Sequence, residues 1–120
     1  MQDFRQLQVW RKSHALALSI YRATATFPEP ERYGLTAQMR RCAASVPANI
    51  AEGCGRGGNA ELRQFLYISA GSASELQYFV ILSRDLGLFT QKQSENLEGA
   101  AVDVRRMLAR LIECVGADCQ

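Results

Sequence analysis

Apolar residues recur along this chain at helical spacing in four separate segments, and no segment alternates apolar and polar residues as a strand would. The last segment is the plainest. Leu97, Ala101, Val104, Leu108, Leu111 and Val115 repeat at spacings of four and three, while Asp103, Arg106, Arg110 and Glu113 cover the opposite side. This is a one-faced helix over about 91–115, and Thr90 with Gln93 spells a capping box at its start.

The other three segments carry more than one uncharged side. Over about 60–86, Leu62, Phe65, Leu66, Ser69, Ala73, Leu76 and Val80 form a core seam, which Ile68, Ser72, Glu75, Phe79 and Leu82 widen. The reverse side reads Tyr67, Gly71, Ser74, Tyr78 and Ile81, with small residues that would let another helix approach closely. Over about 36–53, Leu35, Met39, Cys42, Ala43, Val46 and Ile50 make an apolar stripe. Gln38, Arg41, Ser45, Asn49 and Glu52 make a polar edge beside it, and Ala37, Ala44, Ala48 and Ala51 a smooth third side. Pro47 lies inside this helix; it lacks an N–H and crowds the Ala43 carbonyl, so a kink is expected near Ser45 to Pro47. Over about 4–25, after an Asp3 cap, Phe4, Leu7, Trp10, His14, Leu18 and Tyr21 make one stripe. Val9, Leu16, Ile20 and Ala23 make a second, roughly opposite. His14 falls in the first stripe and is expected as a core histidine rather than a catalytic base.

The connections are short. Pro28, Pro30 and Gly34 mark a loop over 26–34, which Phe27 and Tyr33 are expected to pin to the bundle, with Thr36 as the cap of helix 2. Gly87 ends helix 3, Asn59 caps its start, and Gly116 ends helix 4, leaving a short tail over 117–120. The expected fold is all-α: one domain over 1–120, an up-down-up-down four-helix bundle with a proline-kinked second helix.

Between helices 2 and 3 stands Gly53-Cys54-Gly55-Arg56-Gly57-Gly58, which fits G-x-G-x-x-G, with Glu75 at the distance of a ribose-binding acid. A dinucleotide site needs a strand before those glycines, and a helix precedes them here, so that reading is rejected. The favoured reading is a tight turn; the alternative is an anion held by Arg56 and Arg63 at a helix start.

Composition adds limits. Of 120 residues, 48% are hydrophobic and 22% charged, as in a globular chain, and the net charge of +2 does not by itself argue for nucleic acid. The cations are almost all arginine, with Lys12 and Lys92 the only lysines. No charged and apolar leader opens the chain and no apolar run is long enough to span a bilayer, so a cytoplasmic protein is expected. The cysteines, Cys42, Cys54, Cys114 and Cys119, have no CxxC pair and a single distant His; they are expected as reduced, mostly buried thiols, with Cys119 exposed and no zinc site. No cofactor motif is present.

The wording of helix 2, QMRRCAASVPANIAEG, resembles the signature of the four-helix-bundle family encoded by intervening sequences of bacterial 23S ribosomal RNA genes. The accessory proteins of diversity-generating retroelements are distant relatives. FRQLQVWRKSHALALSIYRAT, FPEPERYGL and ELRQFLYISAGSASEL extend the resemblance over nearly the whole chain. It implies a ring of five subunits and a tie to ribosomal RNA or a reverse transcriptase.

A chain of this length cannot bury three two-sided helices alone, so a homo-oligomer is expected. Its interface would be the Tyr67, Gly71, Ser74, Tyr78 and Ile81 side, together with Val9, Leu16, Ile20 and the alanine side of helix 2. The function expected is a non-enzymatic assembly or adaptor module for RNA or a ribonucleoprotein. Arg5, Arg11, Lys12, Arg40, Arg56 and Arg63 are the candidate nucleic-acid or anion contacts. Arg41, Asn49, Glu52 and Glu75 are expected to form a structural polar network between helices 2 and 3. The alternative is an enzyme or metal-binding bundle using Glu52 and Glu75, although no Glu-x-x-His motif supports it.

Overall fold

Helical periodicity becomes four α-helices in the computed structural model, which describes residues 3–116. They are α1 (Gln8–Thr24), α2 (Leu35–Cys54), α3 (Asn59–Asp85) and α4 (Gln91–Gly116), with no strand among the described residues. Each packs against its neighbour in sequence, and α1 closes on α4, giving an elongated bundle of 46 × 23 × 19 Å. Cys119 and the tail over 117–120 lie outside the described residues.

The core runs the length of the bundle. Ile20, Met39, Val46, Ile50, Leu66, Leu76, Val80, Val104 and Leu108 are almost fully buried. The α4 seam lies where its periodicity puts it, with Leu97, Ala101, Val104 and Leu108 buried; Ile112 joins them, and Leu111 and Val115 are half-buried. The α2 stripe is buried in full, from Leu35 to Ile50. Pro47 is buried within α2, and the helix continues past it to Cys54.

Helix α1 reverses the expectation. The core stripe is Val9, Ser13, Leu16, Ala17, Ile20 and Thr24, while Leu18, Tyr21 and His14 face out. Val9, Leu16 and Ile20, expected at an interface between copies, therefore belong to the core of one chain. Ser13 and Thr24 fit among aliphatic neighbours because each hydroxyl donates back to its own helix, to the Trp10 carbonyl at 2.9 Å and the Ile20 carbonyl at 2.8 Å. The chain enters α1 through a separate 3-10 turn, Phe4–Gln6, where the Asp3 carboxylate accepts the Arg5 N–H at 3.0 Å.

The caps divide. Thr90 and Gln93 form the expected capping box: the Thr90 N–H donates to Gln93 Oε1 at 2.9 Å, and the Gln93 N–H to Thr90 Oγ1 at 3.1 Å. Gly58, not Asn59, precedes α3, and Gly34, not Thr36, precedes α2; neither end has a side-chain cap. Thr36 sits inside the helix and is buried. Gly87 ends α3 in the left-handed conformation at φ 79°, which suits glycine. Phe27 pins the first loop by packing on Phe89, ring centroids 5.0 Å apart, whereas Tyr33 is 88% exposed under the Arg32 guanidinium.

Candidate functional site

Helices α2 and α3 meet along a seam of small polar side chains. Ser45 Oγ and Ser72 Oγ share a hydrogen bond at 2.8 Å. Asn49 Nδ2 donates to Ser45 Oγ at 2.9 Å and to the Ser45 carbonyl at 2.8 Å. On the buried side, Ser69 Oγ donates to the Val46 carbonyl at 2.6 Å. Serine at these positions lets the helices approach closely while each polar atom finds a partner.

Of the four residues expected as one network, only Asn49 enters this seam. Arg41 donates to Gln38 Oε1, and Glu52 accepts from Arg56 at 2.9 Å, both on the exposed side of α2. Glu75 is exposed, and no hydrogen bond joins it to Asn49, Glu52 or Arg41 among the described residues. Its charge and that of Arg41 are both felt at the buried Cys42 thiol. Burial, then the Glu75 charge, push that thiol up to about 12, with Arg41 opposing. The neutral thiol therefore contributes stability that is intact below its ordinary value of 9.0 and lost as pH rises toward 12. The stability of the wild type relative to Cys42→Ala is expected to fall over that range; urea midpoints that keep a constant difference would contradict it. Cys54 is likewise buried, with its thiol pushed up by burial, whereas Cys114 is disulfide-bonded, against the expectation of four reduced thiols.

Among the described residues no three His, Cys, Asp or Glu side chains are grouped to hold a metal. His14 is exposed and stacks on Trp10, ring centroids 5.1 Å apart and 7° from parallel, so it is not a core histidine. With Phe4, Leu18 and Tyr21 it forms one wall of an apolar groove of about 420 Å³. The opposite wall is the alanine side of α2: Ala44, Ala48 and Ala51, with Pro47. The alanine side thus faces out as expected, and its partner across the groove is the Trp10 stripe of α1.

A second apolar surface lies on α3. Tyr67 and Tyr78 are 54% and 56% exposed, Gly71 and Ser74 between them are exposed, and Ile81 is half-buried. Ile68, expected to widen the core, adds to the exposed surface at 47%.

The candidate cations scatter. Arg5 pairs with Asp3, whose carboxyl it holds below the usual range, and Arg11 Nε donates to the Arg5 carbonyl at 2.9 Å. Lys12 is exposed beside them in sequence. Arg56 stands over Phe65, and Arg63 over the ring of Tyr67 with its hydroxyl at 3.4 Å. Arg40 is tied down by Thr24 Oγ1 at 2.9 Å and the Tyr21 carbonyl at 3.0 Å. Arg56 and Arg63 do not converge on one partner; Arg56 pairs with Glu52 instead.

The fold and these surfaces define a helical-bundle protein whose distinctive features are its outward apolar faces. The sequence model of the 23S rRNA-intervening sequence proteins matches residues 5–110, and the chain belongs to that family. A crystal structure from Bacteroides thetaiotaomicron, a protein of unknown function from the S23 ribosomal protein family, shares the fold. Its TM-score is 0.81 at 24% identity, over 88% of this chain and 95% of that one. None of the curated proteins matches the chain. No helix among the described residues is long and apolar enough to cross a membrane.

Proposed function

We propose that this chain is a non-enzymatic assembly or adaptor module of the cytoplasm. It works as a closed ring of its own copies and engages RNA or a ribonucleoprotein. The observation that carries the reading is the pair of unlike apolar faces: the groove between α1 and α2, and the Tyr67–Tyr78 side of α3. Apolar surface of this kind usually marks an interface. Two different faces on one chain pair head to tail, and such contacts either close into a ring or grow as a filament. Five copies is the number that the family resemblance implies. The RNA half of the reading rests on the family's link to 23S rRNA and on the ribosomal-protein family of the similar structure. A ring would repeat Arg11, Lys12 and Arg63 around its axis, gathering cations that are scattered on one chain.

Light scattering after size exclusion tests the assembly: a multiple of the 13.3 kDa chain mass is expected, and a monomer at micromolar concentration would defeat the reading. Filter binding of ribosomal RNA fragments tests the partner. Affinity that falls steeply with salt is expected, and no binding at low salt would remove RNA.

A further inference from the structure

We infer that the cleft at the start of α2 is a phosphate-binding site. The cleft, about 360 Å³, lies between the end of α1, the loop that follows it and the first turns of α2, and Thr24, Glu29, Arg32, Thr36 and Arg40 supply its polar lining. Three features favour an anion in it or at its edge. The first is the helix end itself. Gly34 offers no side-chain cap, and the N–H groups of Leu35, Thr36 and Ala37 find no acceptor among the described residues. Orphan N–H groups and the positive end of the helix dipole together favour an anion.

The second feature is independent of the helix end. Thr36 is only 7% exposed, and its hydroxyl has no hydrogen-bond partner among the described residues. No described side-chain N or O is both sealed from solvent and unpartnered, so this hydroxyl opens onto the cleft that Thr36 lines. A hydroxyl that opens onto the cleft and bonds no described protein group is a donor free to take an acceptor there. The third feature is Arg40. Thr24 Oγ1, the Tyr21 carbonyl and the Tyr21 ring, 4.8 Å away, hold its guanidinium plane in place. Its Nη1 is left without a partner among the described residues. Arg32 adds a second positive charge, against one lining carboxylate, Glu29; Glu31 lies beside Gly34. A hydroxyl and two guanidinium groups thus line one cleft at a helix start, a donor set that suits an oxyanion such as phosphate.

The inference stands apart from ring assembly, so either can fail alone. Calorimetric titration of the full chain with inorganic phosphate, against chloride at matched ionic strength, is expected to give saturable binding. Thr36→Val should weaken it about tenfold, the loss of one hydrogen bond to a charged group. Its melting temperature should not fall, because the hydroxyl it removes bonds nothing in the free protein. Glu29→Gln should tighten binding. A second titration with an RNA oligomer lacking a terminal phosphate separates the sources. Competition between the two ligands assigns the site to nucleic-acid phosphates, and phosphate binding without RNA binding assigns it to a free phosphate. No saturable signal, or a Thr36→Val protein that binds as the wild type does, overturns the site.

Discussion

Leu18→Asp is expected to leave the protein folded and helical but to stop its assembly. Leu18 is 41% exposed on the outer side of α1, in the groove wall opposite Ala44 and Ala48. In a lone chain the carboxylate would be solvated, so the folding stability should change by no more than about 0.5 kcal/mol. In an assembly it would be buried without a partner, at a cost of several kcal/mol. At about 1.4 kcal/mol per factor of ten, that weakens association by at least about a hundredfold. Gly71→Trp attacks the other face. Gly71 is exposed and nothing lies within 4 Å of the position a Cβ would take there, so a side chain can leave the helix toward solvent in one chain and obstruct a neighbour. Each variant keeps one intact face. Mixed together, they should therefore pair as a one-to-one dimer that cannot extend, if the groove of one copy receives α3 of the next. Light scattering on the mixture reads this directly. A mixture that stays monomeric would show that the two faces do not meet each other, whatever each does alone.

Why the Val9 stripe is the buried one, while His14, Leu18 and Tyr21 of the Trp10 stripe face out, was not legible from periodicity. Both stripes of α1 repeat correctly, and period alone does not rank them. Two facts hid the answer. Ser13 and Thr24 interrupt the true core stripe with hydroxyls, and only the structure shows those hydroxyls bonded back to their own helix. Meanwhile Trp10, Leu18 and Tyr21 looked like the larger apolar payload. Helix α4 was legible because it has one apolar side and nothing to rank. The Thr90–Gln93 box was legible because it is local. The α2–α3 seam was not, because it depends on how α3 is rotated against α2. Ser45, Ser69 and Ser72 each fall on a face, but serine carries little pattern, whereas the charged Glu52 and Glu75 point toward a network with Arg41 and Asn49. Charges that solvent can reach stay in solvent unless something holds them in, and here Glu52 stays at the surface with Arg56 and Glu75 is exposed. Cysteine spacing showed only that no CxxC pair existed; it did not separate the buried Cys42 and Cys54 from the bonded Cys114.

Two glycines, two positions apart, should respond to alanine with opposite sign. Gly53 is buried where the end of α2 crosses the start of α3. A Cβ there would stand 2.9 Å from Phe65 Cβ, 3.1 Å from Leu62 Cδ1 and 3.3 Å from the Leu62 carbonyl oxygen. A methyl group cannot be accepted at those distances without moving α3 itself, because Phe65 Cβ and the Leu62 carbonyl belong to its rigid part. Alanine would gain about 1 kcal/mol of helix propensity over glycine. Overpacking a close helix contact costs about 1–3 kcal/mol, and the two contacts near 3 Å place this site toward the upper end. The overlap wins, and Gly53→Ala should lose about 1–2 kcal/mol. Gly55, one residue past the end of α2, has φ −79°, is exposed, and would bring a Cβ no nearer than 3.4 Å to the Glu52 carbonyl. Alanine fits that backbone and restricts the unfolded chain, so Gly55→Ala should be neutral or gain up to about 1 kcal/mol. Chemical denaturation of the two variants beside the wild type checks both signs. If Gly53→Ala were as stable as Gly55→Ala, the close crossing of α2 and α3 would not be the reason for glycine at position 53.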